Sequence, residues 1–220
     1  MTQTRNKSNL SRRHLLRGLA AAPLVGLTAG CGSLVPGQGP PPDLYRLKPK
    51  PEFPADIPKV DWQLQVAAPL APASLDSARI ALLHNPLRME YYARSNWVDR
   101  SPLMVQSAMV EAFETSECIL SVTRDVTDAR PDYILSTELR DFQAEYFLGP
   151  KPEVHAGILA KLVSVRRRSI VATKRFEGGG TAEADRIEDV VGAFSAALGK
   201  VLGDLVAWTL SSGEADRKTA

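Results

Sequence analysis

The stretch YILSTELRDFQAEYF, residues 133–147, alternates apolar and polar side chains as a half-buried strand does, but its phase changes midway. Leu135, Thr137 and Leu139 share one face, whereas Phe142, Ala144 and Tyr146 continue on the other parity. A β-bulge near Arg140 and Asp141 reconciles the two halves as one long strand with a single buried face. Downstream, residues 154–165 and 170–176 read as a hairpin around the solvated turn Arg166-Arg167-Arg168-Ser169, and Gly178, Gly179 and Gly180 end the sheet as a flexible loop. Upstream, shorter strands are expected at 43–47, 62–66, 79–84, 88–92 and 119–123, with Asn85-Pro86 supplying a turn between the third and fourth.

Two helices complete the pattern. Ser101-Pro102 offers a cap residue followed by proline at the first helical position. Val105, Ala108, Met109, Ala112 and Phe113 then recur at three and four, which predicts a helix to about Ser116. Asp185 and Glu188 fit a variant capping box. From there Val190, Phe194, Ala197, Leu198, Val201, Leu205 and Trp208 form one apolar stripe to about Leu210. Residues 211–220 read as a polar, frayed tail. Strands, a helix, more strands and a helix predict an α+β two-layer sandwich, with a mostly antiparallel sheet and both helices on one face.

The first thirty residues belong to a different class. A basic segment ending in Arg12-Arg13 precedes an apolar run over residues 19–29 and the small-residue approach to Cys31, which is the layout of an export signal. Pro23 and Gly26 interrupt the run, which falls short of the ~20 apolar residues that span a bilayer. SRRHLL resembles a twin-arginine export motif. Leu27-Thr28-Ala29-Gly30-Cys31 resembles a bacterial lipobox, with its leucine one place early. Cleavage before Cys31 would leave that residue as the N-terminus, carrying diacylglycerol and an N-acyl chain. The pro- and glycine-rich residues 33–42 would then act as a tether. The expected organisation is a signal peptide over 1–30, a lipidated tether with one short strand over 31–58, a domain over 59–210 and the tail.

Residues 1–30 hold five of the 27 basic side chains and none of the 25 acidic ones, so the remainder is 22 basic against 25 acidic, a net charge of −3. That balance gives no footing for nucleic acid. His84 and His155 have no cysteine, histidine or acid at metal-ligand spacing, so neither a metal site nor a cofactor is expected. Nucleophile-elbow and Cys–His signals are absent, and the triple glycine lacks the lysine of a phosphate loop. Cys118, the one cysteine besides Cys31, reads as a small buried apolar residue. Catalysis is not expected. Tyr91, Tyr92 and Trp97 are the candidate binding residues. They read either as a patch for a partner or apolar ligand, since such aromatics are enriched at contacts, or, for Trp97 above all, as a plug between sheet and helix.

Six short motifs in order carry a resemblance. They are Tyr45-x-Leu47; Leu75-Asp76-Ser77-Ala78-Arg79-Ile80; Tyr91-Tyr92-x4-Trp97 with Pro102 beyond; Leu139-Arg140-Asp141-Phe142-x-Ala144-Glu145-Tyr146; Arg175-Phe176; and Ala193-Phe194-x2-Ala197-Leu198. Behind a lipobox, this set resembles the ABC-type transport auxiliary lipoprotein family, the paraquat-inducible C-type lipoproteins. His84-Asn85 and the shifted lipobox depart from its pattern. The resemblance implies a non-enzymatic lipoprotein with a fold of the TolB N-terminal type. It would be held by Cys31 at the periplasmic face of the outer membrane, since Gly32 and not aspartate follows the cysteine. There it would dock an Mce-domain substrate-binding protein of an ABC transporter that moves lipids between inner and outer membranes. Self-association into a ring would follow by family analogy. A periplasmic lipid carrier and an outer-membrane assembly lipoprotein are the alternative roles.

Overall fold

Three strands in sequence order form the widest part of the sheet, because each is long enough to hold the next in register. In the computed structural model, which describes residues 40–124 and 130–219, the eight strands and two helices are β1 (Asp43–Tyr45), β2 (Gln63–Val66), β3 (Arg79–Asn85), β4 (Arg88–Trp97), α1 (Ser101–Ser116), β5 (Ser121–Thr123), β6 (Tyr133–Glu145), β7 (Glu153–Ser164), β8 (Ser169–Thr181) and α2 (Ile187–Lys218). The bulge expected in residues 133–147 is present: the β6–β7 register slips between Leu139 and Asp141, so Leu135, Leu139, Phe142 and Ala144 all face the core. β6, β7 and β8 form an antiparallel meander.

The other edge of β6 is shared. Its start pairs with β2 and its end with β3, both in parallel, and Leu70 bridges to Glu138 between them. β5 adds to β2 in parallel, β4 to β3 in antiparallel, and β1 to β4 in parallel. Four of the seven pairings are therefore parallel, and the sheet is mixed where a mostly antiparallel one was expected. An antiparallel pair is announced by its turn, as Asn85-Pro86 announces β3–β4. A parallel pair joins segments far apart in sequence and leaves no local signal.

α1 packs on β2 and β5, α2 packs on β6, β7 and β8, and the helices touch each other, so both lie on one face. The inward side chains Val154, Ala156, Ile158, Ala160 and Leu162 of β7 are all buried beneath them. α2 is long and apolar enough by composition to cross a bilayer, but most of its apolar stretch is buried in the core.

Several local expectations are corrected. The last helix does not end near Leu210 but runs to Lys218, because Asp216 and Gly213 in its final turns are buried and contacted by Tyr133. Glu188 and Asp189 in its first turn and Arg217 and Lys218 in its last complement the helix dipole. No capping box forms: the cap position is Arg186, without a side-chain cap bond, and Asp185 is engaged by Tyr146 instead. Ser101 is the first residue of α1 and not its cap, its hydroxyl donating to the Ser77 carbonyl. Gly178–Gly180 lie within β8. A Cβ at Gly178 would overlap the Ala197 carbonyl oxygen, so this glycine lets α2 approach the strand. The export signal, Cys31 and tether residues 33–39 lie outside the described residues.

Residues 46–58 connect β1 to β2 across α2. Leu47, Phe53 and Ile57 pack partly buried against the core, and the Lys48 N–H donates to Ser195 Oγ at 3.2 Å. Gly199 and Gly203, one helical turn apart, let this backbone lie close to the helix.

Candidate functional site

The three candidate residues on β4 separate. Trp97 is only 1% exposed and forms an aromatic trio with Phe142 and Phe194, whose ring centroids lie 5.8 and 5.4 Å from its own. It is the plug between sheet and helix. Tyr91 and Tyr92 alternate across the strand. Tyr91 donates its hydroxyl to the Ser74 carbonyl at 3.1 Å, and the Arg79 guanidinium sits 3.7 Å above its ring. Tyr92 points to the helix side, where its hydroxyl lies 2.8 Å from that of Tyr146.

Tyr146 in turn donates to Asp185 Oδ1 at 2.6 Å, so Tyr92 is the donor to Tyr146. His84 stacks on the Tyr146 ring, centroids 4.9 Å apart, with Nδ1 3.6 Å from Glu90. This chain links β4, the end of β6 and the residue pair before α2. Its phenols hold their protons tightly. Burial, with the Asp185 charge adding, pushes Tyr92 up to about 12. Burial first, then the bond to Asp185, raises Tyr146 further still. Groups titrating so far above neutrality are poor acids or bases for catalysis near pH 7. The arrangement positions the loop before α2.

On the opposite face a charged row crosses β6, β7 and β8. Arg175 donates to Asp141 Oδ2 at 3.1 Å and faces Glu177, while His155 lies 3.4 Å from Glu145. Gly157 leaves room for the Asp141 carboxylate between the strands, since a Cβ there would meet it. His84 and His155 each face one glutamate, and among the described residues no group of three histidine, cysteine or acidic side chains is placed to hold a metal ion. Cys118 is partly buried against the core.

One cluster was not legible beforehand. The Arg166–Arg168 turn is not simply solvated: Arg167 pairs with Asp216 of α2, whose side chain is 3% exposed, and Tyr133 donates to the same carboxylate at 3.0 Å. Arg168 takes a left-handed backbone, φ 51°, at that turn. Nearby Arg217 pairs with Asp61. An acidic residue in a polar C-terminal stretch carries no sign of burial in sequence; only the helix running past Leu210 brings it inward.

The motif residues thus meet pairwise: Trp97 with Phe142 and Phe194, Tyr92 with Tyr146, and Asp141 with Arg175. Comparison with known proteins gives the same answer from another side. Residues 45–206 match the family described as the ABC-type transport auxiliary lipoprotein component. A crystal structure of a Xanthomonas campestris protein of the DUF330 family is similar over 80% of this chain and 99% of its own, at 30% identity and a TM-score of 0.76. A further crystal structure, of an uncharacterised protein, shares only the fold, at 12% identity and a TM-score of 0.52 over 82% of this chain and 99% of its own. An uncharacterised protein of Bradyrhizobium diazoefficiens is 24% identical over 193 residues, 85% of this chain, and this chain spans about half that relative's length. The chain belongs to the ABC-type transport auxiliary lipoprotein component family.

Proposed function

We propose that this lipoprotein is a docking adaptor. Diacylglycerol and an N-acyl chain on Cys31 hold it at the periplasmic face of the outer membrane. Residues 33–42 give reach, and the sheet domain presents a surface to an Mce-domain substrate-binding protein of an ABC transporter that moves lipids between the two membranes. The observation that carries this reading is the family match over residues 45–206, and the resemblance of Leu27–Cys31 to a lipobox supports it. The character of the surface supports an adaptor over a lipid carrier. A groove of about 650 Å³ between residues 48–52 and α2 has Gly192, Ser195 and Ala196 along the helix and Lys48, Lys50, Glu52, Lys200 and Asp204 around them, and these charged groups suit a protein partner better than acyl chains. Self-association into a ring belongs to the same reading by family analogy.

The test is a crosslinking pull-down of the anchored protein from its own envelope, with Cys31→Ala as control. Recovery of an Mce-domain protein, weakened in the control, is the expected result. Recovery of lipid without protein, or of an outer-membrane barrel, would replace the adaptor with the carrier or the assembly role.

A further inference from the structure

We propose that one end of the sheet, tipped by Leu87, Phe147 and Leu148, rests on the leaflet that holds the acylated Cys31, with these side chains inserted among the lipid chains. Leu87 is 98% exposed at the β3–β4 turn, and Leu148 and Phe147 are 84% and 40% exposed in the β6–β7 loop. Large apolar side chains in such positions are exposed at a cost unless something covers them. The two loops sit side by side: the Tyr146 N–H donates to the Leu83 carbonyl at 2.9 Å, and the His84 and Tyr146 rings stack.

The occupant follows from where the chain goes. β1 runs parallel to β4, with Asp43 opposite Ser95 and Tyr45 opposite Trp97, while β4 starts beside the tip at Arg88. The N-terminal end of β1 is therefore turned toward the tip. Ser95 to Arg88 is seven residues, at most roughly 23 Å, shortened by the register shift of β4 between Asn96 and Tyr91. Asp43 back to Cys31 is twelve residues, which extend up to about 40 Å. A tether of that length can span the distance from Asp43 to the tip. At the rim Arg88 lies 3.1 Å from Glu90 and His84 faces the same carboxylate, while Lys151 of the β6–β7 loop is exposed. The contact proposed is with the acyl chains of the leaflet. The acyl chains on Cys31 suffice for durable attachment, and the tip adds a second contact that fixes how the domain sits.

This inference rests on the acylation of Cys31. It is tested on the full lipidated protein, purified from membranes and reconstituted in phosphatidylcholine–phosphatidylethanolamine vesicles. In a Cys118→Ala background, single Leu87→Cys and Leu148→Cys variants carry an environment-sensitive dye. Leu120→Cys and Ile170→Cys, which replace side chains 64% and 57% exposed at the other end of the sheet, serve as controls. Chain-labelled quencher lipids should quench the dye several-fold more at positions 87 and 148 than at 120 and 170. If protein that floats with the vesicles and carries acylated Cys31 shows no quenching at 87 and 148, the tip does not touch lipid and the inference falls alone. A dye that shifts without quenching means that another part of this chain or a second copy of it covers the tip, which overturns it equally. Unmodified Cys31 with no flotation overturns the anchor reading and this one together.

Discussion

Replacing Gly203 with alanine reverses the ordinary expectation for a helix. In an exposed helix interior the change is worth about 1 kcal/mol of added stability. Here a Cβ would overlap the carbonyl oxygen of Glu52, and a Cβ at Gly199 would lie 2.9 Å from that of Lys50. Both obstacles are backbone, so residues 46–58 must lift. Lifting them exposes Leu47, Phe53 and Ile57, each only partly buried. Full burial of such side chains is worth about 1.5–3 kcal/mol each, and half of that gives roughly 3 kcal/mol in all. Less the propensity gain, Gly203→Ala should destabilise by about 2 kcal/mol in urea unfolding. The control lies in the same helix: Gly192 has nothing within 4 Å of its virtual Cβ, so Gly192→Ala should stabilise by up to about 1 kcal/mol. Limited trypsin digestion reads the same event locally, at the exposed Arg46, because Lys48 and Lys50 are each followed by proline and are poor sites. Cleavage there should accelerate in Gly203→Ala and not in Gly192→Ala. A Gly203→Ala protein as stable and as resistant as the parent would refute the docked-segment account.

Three further outcomes are expected. Arg167→Ala leaves the Asp216 carboxylate buried with Tyr133 alone and should cost about 3 kcal/mol by thermal unfolding, whereas Arg167→Ala combined with Asp216→Asn should recover part of that. Trp97→Ala, which opens the aromatic trio, should cost about 3–5 kcal/mol in urea unfolding. For Tyr92 the folded value is raised, so the native state keeps a proton that the unfolded chain loses above about pH 10; stability is full below that pH and falls through about pH 12. Denaturation measured from pH 9 to 12 should show Tyr92→Phe with a shallower decline than the parent.

Legibility in the sequence followed the range of the interaction. The β6 bulge was readable because a parity change is a local fact: Leu139 and Phe142 cannot both face inward along a regular strand. The helix stripes were readable for the same reason. Parallel pairing of β2 and β3 with one edge of β6 was not, since no turn links those strands. The continuation of α2 to Lys218 was hidden because Ser211, Ser212 and Gly213 look like a helix end. Gly213 is small so that the Trp62 ring can pass, its virtual Cβ lying 2.6 Å from that ring. At the candidate site, Tyr92 was named but its partners were not. Asp185 looked like a cap, and nothing in sequence says that a residue 39 positions away will take its carboxylate.

The places where the motifs meet explain what the family signature can and cannot identify. Trp97, Phe142 and Phe194 come from three separate motifs and form one buried trio; Asp141 and Arg175 come from two and form one cross-strand pair. Tyr92 and Tyr146 come from two and secure the entry to α2. A signature made of such contacts reports the frame, because packing and hydrogen bonding demand those residue types wherever this fold is built. It does not report the surface that meets a membrane or a partner. Leu87, Phe147 and Leu148 belong to none of the motifs, and neither do Lys50, Glu52 and Lys200 in the groove beside α2. Exchanging Leu87 and Leu148 for serine should therefore leave the unfolding free energy within about 0.5 kcal/mol of the parent, as for ordinary surface positions, while changing how the domain sits on lipid. Exchanging motif residues should do the reverse.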